Sequence, residues 1–391
     1  MKRERPTLVI FQGGAFDSDT PIERIVLAAQ HAATLDLLAL AADSQAFDRA
    51  ILVTEDQALI ISARAEAGGL PLLIESHSGG AFHFGESLVS LCKAHNLRRV
   101  VYIGGAAMPL ATVEHLRDLA VAVGGEGECV TSNNLFSADV AAFWPASALE
   151  RISLPSADND LAWQLHFKAG LPYAPMPRTL ASQFDIDTPT DLATLWWSCQ
   201  SPPLSNAVGN HLAEMLSQVP QAMPVLARNV ELAYKAMATR RAQVFLAGRV
   251  SSWIWRRLEV NLPCQTRVVS EERGMRASGR EERGEVVSML GLYTDIAGID
   301  GLVQVIERTS DAALLDSRVL FAHNRLKVSS HDRFASDALL HEQVSDPWVR
   351  ELTQAVVAAR VPIVLGGHSL VAGGAWALSE RVRAVASVSR G

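Results

Sequence analysis

The sequence has 391 residues, of which 49% are hydrophobic and 20% charged, and its formal net charge is −7. This length allows two or three domains, each large enough to bury its own core, and the composition is that of a soluble globular protein. The acidic balance argues against bulk binding of nucleic acid and gives no sign of attraction to an anionic membrane surface.

The compartment is indicated by the cysteines and by the apolar runs. The apolar run from Leu8 to Phe11 is too short for the core of a signal peptide. The longer run from 25 to 42 is interrupted by Gln30, His31 and Asp36, which predicts a buried helix and not a membrane span. The cysteines are far apart and form no CxxC pair, which is typical of thiols in a reducing compartment: Cys92, Cys129, Cys199 and Cys264. We expect a cytoplasmic, soluble protein without a membrane partner.

Short apolar runs alternate with helical patterns through the first half of the chain. The runs are residues 7–14, 49–54, 72–75, 99–105 and 129–134. This alternation predicts an α/β fold with a mainly parallel sheet covered by helices on both faces. Ligands of such sheets bind where the strands end, so the loops after these runs are the candidate binding loops.

The segment from Phe184 to Leu192 combines an apolar/acidic alternation with a helix start. On a strand, Asp185 and Asp187 would point to the same side. Thr188 can cap a helix that opens at Pro189, where proline is tolerated. Carboxylates at such a position can hold a divalent metal on phosphate oxygens. The alternative is a capped helix that follows a solvated acidic turn.

Four motifs together resemble those of the GT-A nucleotidyltransferases, especially the guanylyltransferases of molybdenum-cofactor and deazaflavin-coenzyme synthesis. They are the glycine pair 13–14 after the first strand, the loop 104–109 after a central strand, the loop 137–140 before Pro145, and the sequence Asp-Thr-Pro-Thr-Asp-Leu at 187–192. The last motif is fairly specific, whereas glycine pairs alone are weak signals.

The resemblance implies a GT-A-like domain over residues 1–200, with a three-layer α/β/α architecture. It implies that a nucleotide is bound by four glycines, namely Gly13, Gly14, Gly104 and Gly105. It also implies that Asp187, with Asp139 as its partner, holds Mg²⁺ and acts in catalysis. The implied activity is transfer of a nucleotide from a nucleoside triphosphate to a small anionic acceptor.

Two departures from the family pattern leave the activity open. Where the family supplies a basic residue after the first glycines, this chain has the acidic stretch from Phe16 to Asp19. The stretch from Gly104 to Ala107 has no acid where the family carries its central metal aspartate. Losing a metal ligand typically removes the catalytic role of the metal. The chain is therefore either a divergent transferase or an inactive scaffold whose C-terminal domain binds an anionic ligand or a protein partner.

A Pro/Ser-rich break at residues 200–205 marks the predicted boundary to a second domain, residues 206–391. We recognise no family for this domain and predict a helix-rich α/β fold. Helical patterns cover residues 207–216, 223–238 and 243–258. Apolar patterns predict strands over residues 316–323, ending at His323, and over residues 361–365.

The second domain contains two candidate anion sites. Residues 267–283 combine arginines, glycines and a serine, and a flexible backbone with forked guanidinium donors suits phosphate or carboxylate recognition. The strand at 361–365 ends in a Gly-Gly-His-Ser sequence. The predicted anion-binding residues are Arg276, Arg280, His323, His368 and Ser369. The alternative is a surface loop whose arginines and glutamates compensate one another, and the same acids make nucleic-acid binding less favourable.

Other chemistries for the second domain have weaker support. The sequence at 367–371 resembles the nucleophile elbow of α/β-hydrolases, but Val371 replaces a required glycine and no histidine follows it. A metal site from His323, His331 and His368 has no recognisable ligand spacing, so histidines bonded to backbone carbonyls are the default. A third possibility is a C-terminal enzyme with a regulatory N-terminal half. The oligomeric state is left open.

Overall fold

The computed structural model describes residues 4–13, 19–76 and 82–388. Gly14 and Asp17, both discussed above, lie outside the described residues. The chain divides into two compact units: residues 1–14, 30–183 and 209–211 form the first, and residues 15–29, 184–208 and 212–391 form the second. The predicted domain boundary at residues 200–205 stays a prediction.

Eleven strands and sixteen α-helices are numbered here in chain order. The strands are β1 (Thr7–Phe11), β2 (Arg49–Val53), β3 (Leu72–Glu75), β4 (Val100–Gly104), β5 (Cys129–Ser132), β6 (Val140–Trp144), β7 (Tyr173–Pro175), β8 (Gln243–Gly248), β9 (Gln265–Ser270), β10 (Ala312–Asp316) and β11 (Ile363–Gly366). The helices are α1 (Pro21–Ser44), α2 (Gln57–Glu66), α3 (Phe84–Ala94), α4 (Val113–Ala122), α5 (Leu161–Phe167), α6 (Leu180–Gln183), α7 (Pro189–Ser198), α8 (Asn210–Ser217), α9 (Val219–Ala222), α10 (Pro224–Met237), α11 (Ser252–Asn261), α12 (Met289–Thr309), α13 (Ser317–His323), α14 (Ser330–Asp337), α15 (Pro347–Ala358) and α16 (Gly373–Val388).

The first unit is built on a seven-stranded sheet of order β3-β2-β1-β4-β6-β5-β7. Its strands are parallel except for β6, which runs antiparallel to both of its neighbours. Alternate residues of β1 enter different cores: Leu8 and Ile10 pack into one apolar cluster with helices α1, α2 and α4, and Val9 packs into another with α3 and α5. The sheet is therefore buried on both faces, which confirms the predicted three-layer α/β/α, mainly parallel, GT-A-like fold.

The second unit contains a four-stranded sheet of order β11-β10-β8-β9, and all of its strand pairs are parallel. Buried residues of helices α12, α14 and α15 form an apolar core with Phe245 and Leu315 of the sheet. The predicted helix-rich α/β character of this region is confirmed.

Three predicted elements are wrong in detail. Residues 243–248, predicted as the start of a helix, form strand β8, because five consecutive buried residues suit a strand inside a parallel sheet. Residues 317–323, predicted as strand, form helix α13, since the strand is the preceding run Ala312–Asp316. Residues 184–188 connect helices α6 and α7 instead of forming a strand.

Within the described ranges, α1 and α12 are the helices long and apolar enough to cross a membrane by length and composition. The corresponding windows have mean hydropathy 1.6 and 1.3 and are 56% and 33% buried. Leu35 and Leu38 of α1 lie in the core of the first unit, as predicted for a buried helix. The four cysteines are free thiols.

We predict that Gly85→Ala destabilises the first unit. A Cβ atom at Gly85 would lie 2.8 Å from the Leu154 Cβ and 2.9 Å from the Pro155 carbonyl oxygen. In an exposed helix this substitution stabilises by ~1 kcal/mol, but here the overlap should lower the free energy of unfolding by ~1–3 kcal/mol. The control is Gly127→Ala, where a Cβ would meet no described atom within 4 Å. Equal urea midpoints for the two variants would contradict this prediction.

Candidate functional site

Three of the four glycines predicted to bind a nucleotide, Gly13, Gly104 and Gly105, lie at one edge of the first sheet. Strands β1 and β4 are parallel neighbours with Phe11 opposite Gly104, so Gly13 and Gly105 follow adjacent strand ends. A Cβ atom at Gly105 would lie 2.0 Å from the Gln12 Oε1 atom and 2.8 Å from the Thr34 Oγ1 atom. Gly105 is thus required by local packing, whereas a Cβ at Gly13 would meet no described atom within 4 Å.

Carboxylates lie beside Tyr102 of β4. The Tyr102 hydroxyl donates to the Asp158 Oδ2 atom over 2.8 Å, and the Asp139 Oδ2 atom accepts from the Asn133 Nδ2 atom over 3.2 Å. The loops that carry the two aspartates are joined by a backbone hydrogen bond from Ala138 to Asn159. Burial, followed by the charges of Asp158 and Asp139, raises the pKa of Tyr102. The hydroxyl therefore remains a hydrogen-bond donor at neutral pH.

Oxygen ligands of this kind suit Mg²⁺, which commonly uses one or two carboxylates together with substrate phosphates and water. Across residues 4–13, 19–76 and 82–388, no group of three or more His, Cys, Asp or Glu residues is arranged to hold a metal. Asp139 belongs to the first unit and Asp187 to the second.

The acidic segment that precedes α7 forms a reciprocal helix cap, as predicted. The Thr188 hydroxyl accepts from the backbone N–H of Asp191 over 3.3 Å. In return, the Asp191 Oδ2 atom accepts from the backbone N–H groups of Asp187 and Thr188, over 3.1 and 2.8 Å. Asp191 is fully buried, while Asp187 is exposed. The specific part of the motif therefore has a structural role at the start of this helix.

A second polar edge lies at the carboxyl ends of β8 and β10. The Arg249 Nε atom donates to the Asp316 Oδ2 atom over 2.6 Å, and its Nη2 atom donates to Oδ1 over 3.0 Å. Asp316 is fully buried. Burial alone would raise the pKa of Asp316, but the charge and hydrogen bonds of Arg249 lower it below the usual value. The carboxylate is thus ionised and held by a forked pair.

His368 and Ser369, two of the predicted anion-binding residues, follow β11 at this same edge. The Ser369 hydroxyl donates to the Asp185 Oδ1 atom over 2.6 Å. His368 is solvent-exposed, and desolvation is the largest cause that lowers its pKa. Arg249 lowers the pKa of His368 further, while Asp316 and Asp185 oppose the shift. The imidazole is therefore neutral at pH 7.

A buried ion pair lies behind this edge. The Arg318 Nη1 and Nη2 atoms donate to the two carboxylate oxygens of Asp337 over 2.9 and 2.5 Å. The Arg318 side chain is 6% exposed and that of Asp337 is fully buried. Removing one partner of such a pair leaves an uncompensated buried charge, which is strongly destabilising. This pair therefore fixes the position of α14 against α13.

The other predicted anion-binding residues have partners within the second unit. The Arg276 Nε atom lies 2.9 Å from the Glu281 Oε2 atom, and the Arg280 Nη1 atom lies 2.8 Å from the Glu272 Oε2 atom. His323 accepts from the backbone N–H of Ser288 over 3.2 Å and its Nε2 atom lies 3.2 Å from Asp295. Their anion-binding role stays a prediction.

Sequence reasoning missed Arg249, Asp316 and the pair Arg318–Asp337, and it did not predict that Asp185 meets Ser369. A signal for Asp316 was present, because it directly follows the apolar run Ala312–Leu315. Because the strand was predicted over residues 316–323 and not over Ala312–Asp316, Asp316 was not recognised as the end of a buried strand. The pairing of Arg249 with Asp316 joins residues 67 apart in sequence, and no local pattern predicts it.

The chain is similar to several solved transferase structures. One is a structure from Desulfovibrio desulfuricans G20 whose name assigns it to the nucleotide-diphospho-sugar transferases. It is 14% identical to this chain, the match covers 56% of this chain and 96% of that chain, and the TM-score is 0.41. A cytidylyltransferase from Leptospira borgpetersenii serovar Hardjo-bovis is 16% identical, with the same coverages and a TM-score of 0.35. A nucleotidyl transferase from Methanothermobacter is 16% identical, with 46% of this chain and 91% of that chain covered and a TM-score of 0.33.

These structures are of the group that the first half of the sequence resembles. Their identities and TM-scores are too low to carry an argument about activity, and the fold described above rests on its own sheet order and registers. No family model matches the chain, and no characterised protein matches it by sequence.

We predict that Asp191 makes stability fall as pH rises. Burial, followed by the charge of Asp185, raises the pKa of Asp191 from 3.8 to about 8, although the Thr188 hydroxyl opposes this. The protonated form is favoured in the fold, so this contribution is complete below pH 3.8 and is lost as pH rises to about 8. Urea unfolding at pH 5 and pH 8 should show a smaller decline for Asp191→Asn than for the wild type. The same decline in both proteins would contradict the assignment.

We predict that Gly248→Ala destabilises the second unit. Gly248 has φ +109°, and a Cβ atom there would lie 2.5 Å from the Asp316 Cβ. Backbone strain of ~1 kcal/mol and overpacking of ~1–3 kcal/mol should together lower the free energy of unfolding by about 2–4 kcal/mol. Gly274→Ala is the control, because Gly274 has φ +78° but open space around it, and it should show the strain alone. If both variants lose the same free energy of unfolding in urea, overlap with Asp316 is not the cause of the loss.

Proposed function

We propose that this chain is a divergent nucleotidyltransferase-like protein that binds a nucleoside triphosphate with Mg²⁺ and a small anionic acceptor. The observation that carries the proposal is the edge of the first sheet where β1 and β4 end. A Cβ atom at Gly13 would meet no described atom within 4 Å there, and the Gly104 N–H donates to the carbonyl oxygen of Asp139 over 2.9 Å. The carboxyl edge of a parallel sheet is where such folds bind their ligands.

In this proposal the nucleotide phosphates approach the backbone at Gly13 and Gly104, where small residues allow close contact. Asp139 would hold Mg²⁺, which would neutralise negative charge on the phosphates. The acceptor oxygen attacks the α-phosphorus, the new P–O bond forms, and pyrophosphate leaves with the electron pair of the broken bond. Catalysis is by positioning and charge neutralisation, as in other phosphoryl transfers.

The metal role of Asp187 stays a prediction that needs its own variant, since the segment around it is accounted for by a helix cap. The second candidate function is a scaffold whose second unit binds an anion or a partner. The ionised pair Arg249–Asp316 beside His368 favours it, as does the lack of an acid from Gly104 to Ala107. Both candidates are proposed as soluble, cytoplasmic proteins.

The test is a thermal-shift panel with GTP, ATP, CTP and UTP, each with and without Mg²⁺. A nucleotide at about a hundredfold its dissociation constant should stabilise the protein by about 2.7 kcal/mol. We expect one nucleotide to stabilise the wild type only with Mg²⁺, and Asp139→Asn to lose this stabilisation. Asp187→Ala tests the predicted second ligand separately.

The control is Glu126→Gln, which removes an exposed carboxylate of the same unit and should leave the shift unchanged. If no nucleotide stabilises the wild type, the transferase proposal fails and the scaffold remains. If a nucleotide stabilises Asp139→Asn as well as wild type, Asp139 is not the metal contact.

A further inference from the structure

The strand order of the second unit creates a crevice between β8 and β10. From β8 the chain continues to β9 on one side, and it then crosses to β10 on the other side of β8. The loops that leave β8 and β10 therefore diverge at their carboxyl ends. In open parallel sheets, ligands bind at such a reversal of strand order.

Arg249 and Asp316 occupy this reversal point. Leu315 lies opposite Ala247 in the register, so Gly248 and Asp316 are the next residues of the two strands. The Arg249 Nε and Nη2 atoms face Asp316, and its Nη1 edge lies outside that forked contact. The buried carboxylate thus orients a guanidinium group at the mouth of the crevice.

A second arginine lies near the exposed His368. The charge of Arg273 acts on His368 together with those of Arg249 and Asp316. Arg273 is exposed, and the two acids that precede it have other partners: Glu272 pairs with Arg280, and Glu271 accepts from Ser288 and the Met289 amide. The positive charges of the loop at residues 267–283 are therefore only partly neutralised by the acids of the same loop.

We propose that the second unit has its own binding site for a small molecule with a phosphate or carboxylate group, held by Arg249 and Arg273 beside His368. The guanidinium fork matches both anions, and a crevice at a reversal of strand order suits a small ligand. This site differs from the nucleotide edge of the first unit and does not depend on nucleotide binding there.

The experiment is isothermal titration calorimetry of the full chain with two probes, inorganic phosphate and malonate, without Mg²⁺. We expect at least one probe to bind, and the tighter one identifies the anion class. Arg273→Gln should weaken this binding about tenfold, the effect of losing one charge-assisted hydrogen bond. Because Arg273 is exposed, its variant should unfold at the wild-type urea midpoint.

The matched control is Arg267→Gln, which removes another exposed arginine, one that donates to the Thr309 carbonyl oxygen. It should leave binding unchanged, as should Asp139→Asn in the first unit. The proposal is overturned if neither probe binds, or if Arg267→Gln weakens binding as much as Arg273→Gln. If a probe anion binds but no nucleotide with Mg²⁺ stabilises the wild type against heat, only the transferase proposal is rejected.

Discussion

A buried charge at the end of a strand constrains much of the second unit. Asp316 is fully buried and ionised, so it must be paired, and Arg249 supplies both hydrogen bonds of the pair. The close approach of Asp316 also requires glycine at 248, where any side chain would overlap it. The Asp316 carboxylate thus accounts for the glycine and the arginine at the end of β8, and its charge also acts on His368.

The two sheets concentrate different chemistry at their carboxyl edges. In the first unit, glycines and Gln12 follow the ends of β1 and β4, Thr34 of α1 donates to Gln12, and carboxylates lie beside Tyr102. In the second, the strand ends carry a forked ion pair, a neutral histidine and arginines. The central strands of both sheets are buried, so their polar side chains collect at these edges. The first edge suits a phosphate chain that approaches backbone, and the second suits a compact anion.

The segment Asp187–Leu192 has a structural role that is independent of any metal. In the sequence it is the most specific sign of a transferase metal site. In the structure its Thr188 and Asp191 form a reciprocal cap, and Thr190 donates to the Leu365 carbonyl oxygen over 2.6 Å. The polar residues are therefore required for α7 to begin here and to pack on β11, whether or not Asp187 also contacts a metal.

The sequence by itself determined the alternation of strands and helices, the parallel character of the first sheet and the cap at Thr188, because these depend on local patterns of apolar and capping residues. It also placed His368 and Ser369 after a buried strand. It misplaced β8 and β10, since short apolar runs fit both a strand and a buried helix. Only the tertiary structure decided that Asp316 meets Arg249, that Arg318 meets Asp337 and that Ser369 meets Asp185. These partners are distant in sequence, and the order of strands in the sheet, which no local pattern encodes, brings them together.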